Sequence, residues 1–266
     1  KSESSLVRSF RLLKNDAEVA GLVTAGSTGA TIAAGQLILG RIRGIKRPAL
    51  CPAIPNIRGS YTLLCDCGAN AECKPAMLCQ FAVLASAYAS AGFGINNAKV
   101  GLVNNGTEEH KGDPLHQQTY QLLKKMDVIN FEGNIEGRDI MIGDVDVAVC
   151  DGFSGNIALK SIEGCGKLIL SVLKKEATSS LSSKIGSLFL MKGFRRMRAR
   201  LDFEAVGGAL LLGVKKVVIK SHGSSKARTI TASIENAANI YRGNLIGKVE
   251  DMLSRVDWDN LIPKEE

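Results

Sequence analysis

Aromatic residues are scarce in this sequence, and it has no long apolar run. Only 5% of the 266 residues are aromatic, and none of them alternates with basic residues as on surfaces that stack nucleic-acid bases. No run reaches the roughly 18 consecutive apolar residues that a membrane-spanning helix requires. We therefore expect no nucleic-acid partner and no membrane-spanning segment.

Cysteine is present, but its pattern indicates neither disulfides nor a metal site. The seven cysteines are odd in number and lie in core-like segments, as in proteins of a reducing compartment. The spacing of Cys65, Cys67, Cys73 and Cys79 differs from that of paired zinc ligands. Residues 1–15 also lack the apolar run of a signal peptide. We expect a cytoplasmic protein that holds no metal and no other cofactor.

The composition favours one α/β domain with a basic surface. With 45% apolar residues, the chain can bury a large core over residues 1–266. The formal net charge is +8, and basic residues concentrate in residues 41–47 and 184–200. A surface of this charge can attract anionic lipid or an acidic protein.

Polar turns follow most of the predicted strands. The strands at 21–24, 61–66, 99–103, 145–150 and 217–220 each lead into glycine, hydroxyl, amide or charged residues. A further strand is predicted at 128–132, and the predicted helices are 5–15, 27–40, 74–91, 114–126 and 156–176. This order predicts a doubly wound α/β fold, in which ligands bind at the carboxyl ends of the strands.

The turn that follows strand 21–24 is a candidate anion site. Gly26 and Gly29 allow a ligand close to the backbone, while Ser27 and Thr28 place hydroxyl groups at a helix start, which favours an anion. The alternative is an ordinary turn capped by Ser27. The glycine spacing matches neither the dinucleotide-binding fingerprint nor the P-loop.

Two further turns carry acid and base groups. Glu108 and Lys111 follow strand 99–103, and His222 follows strand 217–220 together with Ser224 and Ser225. A histidine here can donate to a substrate oxygen or move a proton. It can equally serve as a structural residue that caps the turn.

Residues 181–201 predict a basic amphipathic helix, after an interruption of the periodicity at 177–183. Its apolar positions recur at near-helical spacing and are Leu181, Ile185, Leu188, Phe189, Phe194, Met197 and Leu201. Such a helix can lie in the interface of an anionic membrane. Alternatively, it packs on the core or on a second subunit and leaves its basic face in solvent.

Taken in order, these motifs resemble those of the bacterial phosphate acyltransferase family. The resemblance extends from about residue 5 to residue 245 and rests on many motifs in the same order. The matching segments are 24–30, 40–50, 66–70, 74–75, 106–113, 151–156, 207–209 and 219–225.

The resemblance implies an enzyme of phospholipid synthesis that transfers a fatty acyl group from acyl-acyl-carrier-protein to inorganic phosphate. The fold would be a three-layer α/β/α sandwich of the isocitrate/isopropylmalate dehydrogenase type, in a homodimer. Residues 178–201 would protrude from the domain and contact a membrane or partner. The contact residues would be Leu188, Phe189, Phe194, Arg195, Arg196 and Arg198.

The resemblance also implies roles for individual residues. Lys111 and Asn156 match residues linked to catalysis in the family, and His222 is a third catalytic candidate. Lys111 would hold phosphate or polarise the carbonyl group, and Asn156 would donate to the oxyanion. The substrate-binding candidates are Gly26, Ser27, Thr28, Gly29, Asn70, Glu108, Asp151, Gly155, Ser224 and Ser225.

The sequence departs from the family pattern in two places. It has no equivalent of the glycine-rich segment that precedes this region in the family and faces the same crevice, so we expect activity to depend on that segment. Ser27 stands where the family more often has Asn. Two other functions are compatible with the motifs: acetyl or butyryl transfer from acyl-coenzyme A to phosphate, and an inactive scaffold for a membrane or carrier protein. A hydroxy-acid dehydrogenase of the same fold would need a set of metal-binding carboxylates that the sequence does not supply.

Overall fold

The computed structural model describes residues 3–200 and 205–261. The helices are α1 (Ser5–Asn15), α2 (Thr28–Ala34), α3 (Pro75–Phe93), α4 (Pro114–Leu123), α5 (Gly152–Ala177), α6 (Leu181–Arg200), α7 (Ala227–Arg242), α8 (Leu245–Ser254) and α9 (Trp258–Leu261). The strands are β1 (Gly21–Thr24), β2 (Ala49–Cys51), β3 (Ala53–Pro55), β4 (Tyr61–Cys65), β5 (Lys99–Asn104), β6 (Asn130–Glu136), β7 (Val147–Val149), β8 (Ala209–Leu212) and β9 (Val217–Lys220).

The strands form two mixed sheets. The four-stranded sheet has the order β1-β9-β8-β2, in which β1 and β9 are parallel and β8 is antiparallel to both of its neighbours. The five-stranded sheet has the order β3-β4-β7-β5-β6 and is parallel except for β3 at its edge. The two sheets meet where β2 and β3 run past β4. There the Leu64 N–H donates to the Pro52 carbonyl (3.1 Å) and the Cys67 N–H to the Leu50 carbonyl (2.8 Å).

Helices cover both faces of the sheets. On one side, α3 shares a core with residues of both sheets, such as Leu63 of β4 and Ile219 of β9. On the other side, α1 covers the four-stranded sheet through Phe10, and α5 covers the five-stranded sheet through Ile162. Because successive strand residues point to opposite faces, Leu63 faces α3 while Leu64 faces α5. The result is an α/β/α layering.

Helix α3 is the central element of the core. Among the described residues it is the one helix long and apolar enough to cross a membrane, but 78% of that stretch is buried inside the protein. Small residues such as Ala82 and Ala85 let it pack closely against the strands, and both are fully buried. Its apolar composition is therefore explained by its place in the core.

The observed elements differ from the sequence prediction at particular points. Strands β2, β3 and β8 were not predicted, because β2 and β3 have three residues each and are separated by Pro52, and β8 follows a glycine pair. Strand β6 lies later than predicted, and α5 begins four residues earlier, at Gly152. Helix α2 continues as a π-helical turn, Gly35–Leu39, and ends at Gly40, whose φ is 81°. The single-domain organisation stays a prediction.

The first turn of α5 packs directly on the loop that follows β4. A Cβ atom on Gly155 would lie 2.0 Å from the Asp66 carbonyl oxygen, and one on Gly152 would lie 2.5 Å from the Asn70 carbonyl oxygen. Only glycine allows this approach without a shift of the backbone. The contact sets where the residues of α5 beyond Gly155 lie.

A glycine substitution tests this contact. We expect Gly155→Ala to destabilise the protein by about 1–3 kcal/mol, because the added methyl group forces the backbone apart. Gly164→Ala on the same helix is the matched control, since a Cβ there meets no atom within 4 Å. It should stabilise the helix by roughly 0.5–1 kcal/mol. Urea denaturation measures both values, and equal free energies of unfolding would contradict the close contact.

Candidate active site

A cleft of about 660 Å³ opens beside the carboxyl ends of strands from both sheets. It is lined by the turns after β4 and β9, by the first residue of α2, by residues at β2, β3 and β8, and by one face of α5. Thr28, Asn156, His222 and Ser224, all predicted as site residues, lie in its lining. The position agrees with the rule that ligands of α/β proteins bind at the carboxyl ends of strands.

The turns after β1 and β9 lie side by side. The Ser221 N–H donates to the Thr24 carbonyl (2.8 Å), so the parallel pairing continues past the end of both strands. The Gly26 N–H donates to the Thr24 hydroxyl (3.1 Å), and the Ser27 hydroxyl caps α2 by accepting from the Ala30 N–H (3.4 Å). Ser27 thus has the capping role that was the alternative reading, and Thr28 is the member of this turn in the cleft lining.

The side chain of His222 is oriented by its own turn. The Ser224 N–H donates to Nδ1 of His222 (3.2 Å), and the Ser224 hydroxyl lies 2.7 Å from the same atom. A backbone N–H can only donate, so Nδ1 is an acceptor and the proton of the neutral ring sits on Nε2. His222 can then donate to a ligand from Nε2. The hydroxyl oxygen of Ser225 is buried and has no hydrogen-bond partner among the described residues.

Asp66 is a buried carboxylate that organises the loop after β4. It was not predicted as a site residue. Its two oxygens accept from the N–H groups of Leu50 (2.8 Å), Ala69 (3.2 Å) and Asn70 (2.7 Å) and from the Asn70 side-chain amide (3.0 Å). Burial raises the pKa of Asp66, and these hydrogen bonds oppose that shift. Asn70 also donates to the Pro48 carbonyl (2.8 Å), which gives it a structural role at the cleft wall.

The start of α5 projects Asn156 into the cleft. Asp151 is buried and caps the helix by accepting from the N–H groups of Phe153 and Ser154, both at 2.9 Å. Gly155 makes the close contact with the β4 loop, and Asn156 is exposed beside Gly68. Asp151 and Gly155, both predicted to bind substrate, therefore hold Asn156 in place.

The turn that carries Lys111 and Glu108 is held by amide side chains. Asn104 donates to the Lys111 carbonyl (3.1 Å), Asn134 donates to the Glu108 carbonyl (2.8 Å), and Gln117 donates to the Gly112 carbonyl (2.9 Å). Neither Lys111 nor Glu108 is among the lining residues of the cleft. Their turn follows β5, which is the neighbour of β7, so it lies at the same sheet edge as Asn156. The assignment of Lys111 to the site stays a prediction.

Basic side chains dominate the charge of the cleft. Its lining holds five basic residues besides His222, and a single acidic residue, Glu163. Lys160 pairs with Glu163 at 2.8 Å. The basic residues are Lys160, Lys167, Arg198, Lys220 and Arg228.

Four of these basic residues were not predicted as site residues. For Lys160 and Lys167, the available signal was their helical spacing. They share one face of α5 with Asn156 and Glu163. Arg198 was assigned to a membrane or partner surface, whereas the structure places it in the cleft lining.

The remaining candidate regions are the cysteines and α6. All seven cysteines are free thiols, and no group of three or more His, Cys, Asp and Glu residues in the described ranges is placed to hold a metal ion. Helix α6 has no buried residue, and Leu188 (67% exposed) and Phe189 (84% exposed) face solvent. Phe194 is half-buried, and Leu201 falls outside the described residues.

Solved structures of known proteins share this fold. A phosphotransacetylase from Staphylococcus aureus is 16% identical with a TM-score of 0.52, and the alignment covers 89% of this chain and 65% of that structure. A branched-chain phosphotransacylase from Enterococcus faecalis is 15% identical with a TM-score of 0.55, over 88% of this chain and 77% of that structure. These likenesses confirm the predicted α/β fold.

Sequence relatives identify the family. A phosphate acyltransferase of Clostridium perfringens is 44% identical over 260 residues, which cover 98% of this chain and 76% of the relative. A phosphate acyltransferase of Helicobacter hepaticus is 45% identical over 251 residues, which cover 94% of this chain and 74% of the relative. Residues 1–248 also match the family described as fatty acid synthesis protein. The chain belongs to this fatty acid synthesis protein family.

Proposed function

We propose that this protein is a phosphate acyltransferase, which moves a fatty acyl group from acyl-acyl-carrier-protein to inorganic phosphate. The products are an acyl phosphate for phospholipid synthesis and the free carrier protein. The observation that carries the proposal is the cationic cleft at the carboxyl ends of the strands, in a chain whose relatives are phosphate acyltransferases. A positively charged cavity suits a reaction whose nucleophile and product are both anions.

The reaction depends on holding phosphate and the thioester in position more than on a strong base that deprotonates phosphate. An oxygen atom of phosphate attacks the thioester carbonyl carbon, the C–S bond breaks, and the departing sulfur takes up the proton that the phosphate loses. Phosphate is already largely ionised at neutral pH, so the protein has to hold the two substrates together and stabilise the negative charge that forms on the carbonyl oxygen. No covalent bond between the acyl group and the protein is required.

Three residues are assigned roles on this basis. Asn156 donates from its side-chain amide to the developing oxyanion, since it stands exposed in the lining. His222 donates from Nε2 to a substrate oxygen. Lys111 approaches from the turn after β5 and holds phosphate or polarises the carbonyl group. Thr28 and Ser224 supply further hydroxyl groups for phosphate from the cleft lining.

The donor preference tests the function as a whole. The assay measures phosphate-dependent thiol release from acyl-acyl-carrier-protein and from acyl-coenzyme A, and phosphorus NMR identifies the acyl phosphate. We expect turnover with the carrier-protein donor. Preference for acyl-coenzyme A would instead indicate a phosphotransacylase, and no turnover with either donor would leave a scaffold as the function.

Lys111→Ala tests the catalytic assignment. Lys111 lies in a turn and contributes little to the core, so the variant should fold normally and lose about 100- to 1,000-fold in turnover, as when one oxyanion donor is removed. Lys125→Ala, which removes an exposed lysine near the end of α4, is the matched control and should retain full turnover. Turnover of Lys111→Ala near that of the control would remove Lys111 from the mechanism.

The exposed face of α6 supports peripheral association with an anionic membrane. Leu188 and Phe189 expose apolar surface that nothing in the described chain covers, and Arg195 and Arg196 are exposed on the same helix. Apolar insertion combined with basic attraction is the usual mode of interfacial helices. Acyl phosphate must reach a membrane-bound acceptor, so this placement would shorten its path. A homodimer that covers the same face is the competing arrangement.

A double substitution separates the two arrangements. Leu188→Glu with Phe189→Glu should abolish co-sedimentation with anionic vesicles and leave soluble acyl transfer intact. Salt should weaken the wild-type binding, because surface charges are screened beyond about 10 Å at 0.1 M. Leu37→Glu with Ile57→Glu, two residues 82% and 76% exposed elsewhere, is the control with the same change in charge. A light-scattering mass that falls to the monomer in the first variant, without a change in vesicle binding, would assign the face to a dimer.

A further inference from the structure

We infer that Lys160 and Lys220 form a binding site for a phosphate group inside the cleft. The inference rests on the proposed function for the identity of the substrate, but the site itself is defined by two ammonium groups and the donors around them. Lys220 lies in the matching segment 219–225, but no role was assigned to it or to Lys160.

The two lysines belong to different elements of the fold. Lys220 is the last residue of β9, and Lys160 lies on α5, which follows β7 of the five-stranded sheet. The backbone of Lys220 is held by its parallel partner Thr24 and by Gly208, where a Cβ atom would lie 2.3 Å from the Lys220 carbonyl oxygen. Lys160 follows Asn156 by one turn of α5. The backbone of each lysine therefore belongs to a regular helix or strand.

The described lining supplies one acidic side chain for the two ammonium groups of the pair. Burial lowers the pKa of Lys220, and the positive charge of Lys160 lowers it further, whereas Glu163 opposes this shift. Glu163 is the one acidic residue in the lining, and it already pairs with Lys160 at 2.8 Å. With one carboxylate for two lysines, the described lining keeps an excess positive charge beside the half-buried Lys220, which is electrostatically costly without a bound anion. A bound dianion would remove this cost.

The neighbouring donors suit a phosphate group. His222 offers the Nε2 proton, and Thr28 and Ser224 lie in the same lining. A tetrahedral anion with several acceptor oxygens can accept from such donors while it contacts both ammonium groups, and lysine is a common phosphate ligand. Two sources of a phosphate group meet this description: inorganic phosphate, and the phosphodiester on the thiol-bearing arm of the acyl donor.

Substitution of the two lysines tests the site on the full chain. The variants are Lys160→Met, Lys220→Met, their combination, and Lys220→Arg, which keeps the charge. Lys174→Met, an exposed lysine on α5 outside the cleft lining, is the matched control. Calorimetry with inorganic phosphate measures binding, and steady-state kinetics give KM separately for phosphate and for the acyl donor.

Each methionine variant should weaken phosphate binding by about tenfold or more, the effect of losing one charge-assisted hydrogen bond. The KM for phosphate should rise accordingly, Lys220→Arg should recover part of the loss, and Lys174→Met should match the wild type. A rise in the KM for the donor alone would assign the site to the donor's phosphodiester. If Lys220→Met is unstable in thermal unfolding, the exposed Lys160 provides the readout.

The inference and the proposed function can fail separately. A wild type that makes no acyl phosphate but binds inorganic phosphate, with binding lost in the double variant, would overturn the function and keep the site. Turnover and both KM values unchanged in the double variant would overturn the site and keep the function. A wild type that shows neither phosphate binding nor turnover would overturn both.

Discussion

The contact between the Asp66 loop and the first turn of α5 is the constraint on which the site depends. The buried carboxylate accepts four hydrogen bonds, from Leu50 in β2, from Ala69 and twice from Asn70, and so ties the strand that links the two sheets to the loop after β4. Gly155 then lets α5 lie directly on that loop. This contact fixes the position of Asn156 and of the residues that follow it on α5, because the regular geometry of a helix sets each later residue relative to its first turn.

The cleft combines a rigid frame with an unfavourable charge distribution. Its lining holds five basic residues and one acidic residue, and burial together with Lys160 lowers the pKa of Lys220. The excess positive charge in the cleft destabilises the folded protein when no anion is bound. A bound anion offsets this effect, which is the usual compromise between stability and function at a binding site. The same excess of positive charge would also draw an acidic carrier protein and phosphate toward the cleft.

Much of the fold could be predicted, and the misses share a cause. The predicted strands and long helices were found because alternating and helical periodicities are local signals. Strands β2, β3 and β8 were missed because Pro52 separates the first two and a glycine pair precedes the third, so their pairing comes only from the rest of the sheet. At the site, His222 was identified from a turn at a strand end, and Asn156 from the resemblance to the family. Asp66 was passed over because its role is visible only in its hydrogen bonds.

Local sequence patterns are enough to predict the order of strand, polar turn and helix. They therefore indicate which residues lie at the carboxyl ends of strands, because that placement depends on neighbours along the chain. Tertiary structure alone decided which of those residues meet. Asn156 lies on α5, Lys220 ends β9 and Arg198 lies on α6, yet all three line one cleft. Their convergence results from the packing of two sheets and α5 through long-range contacts, which no local pattern encodes.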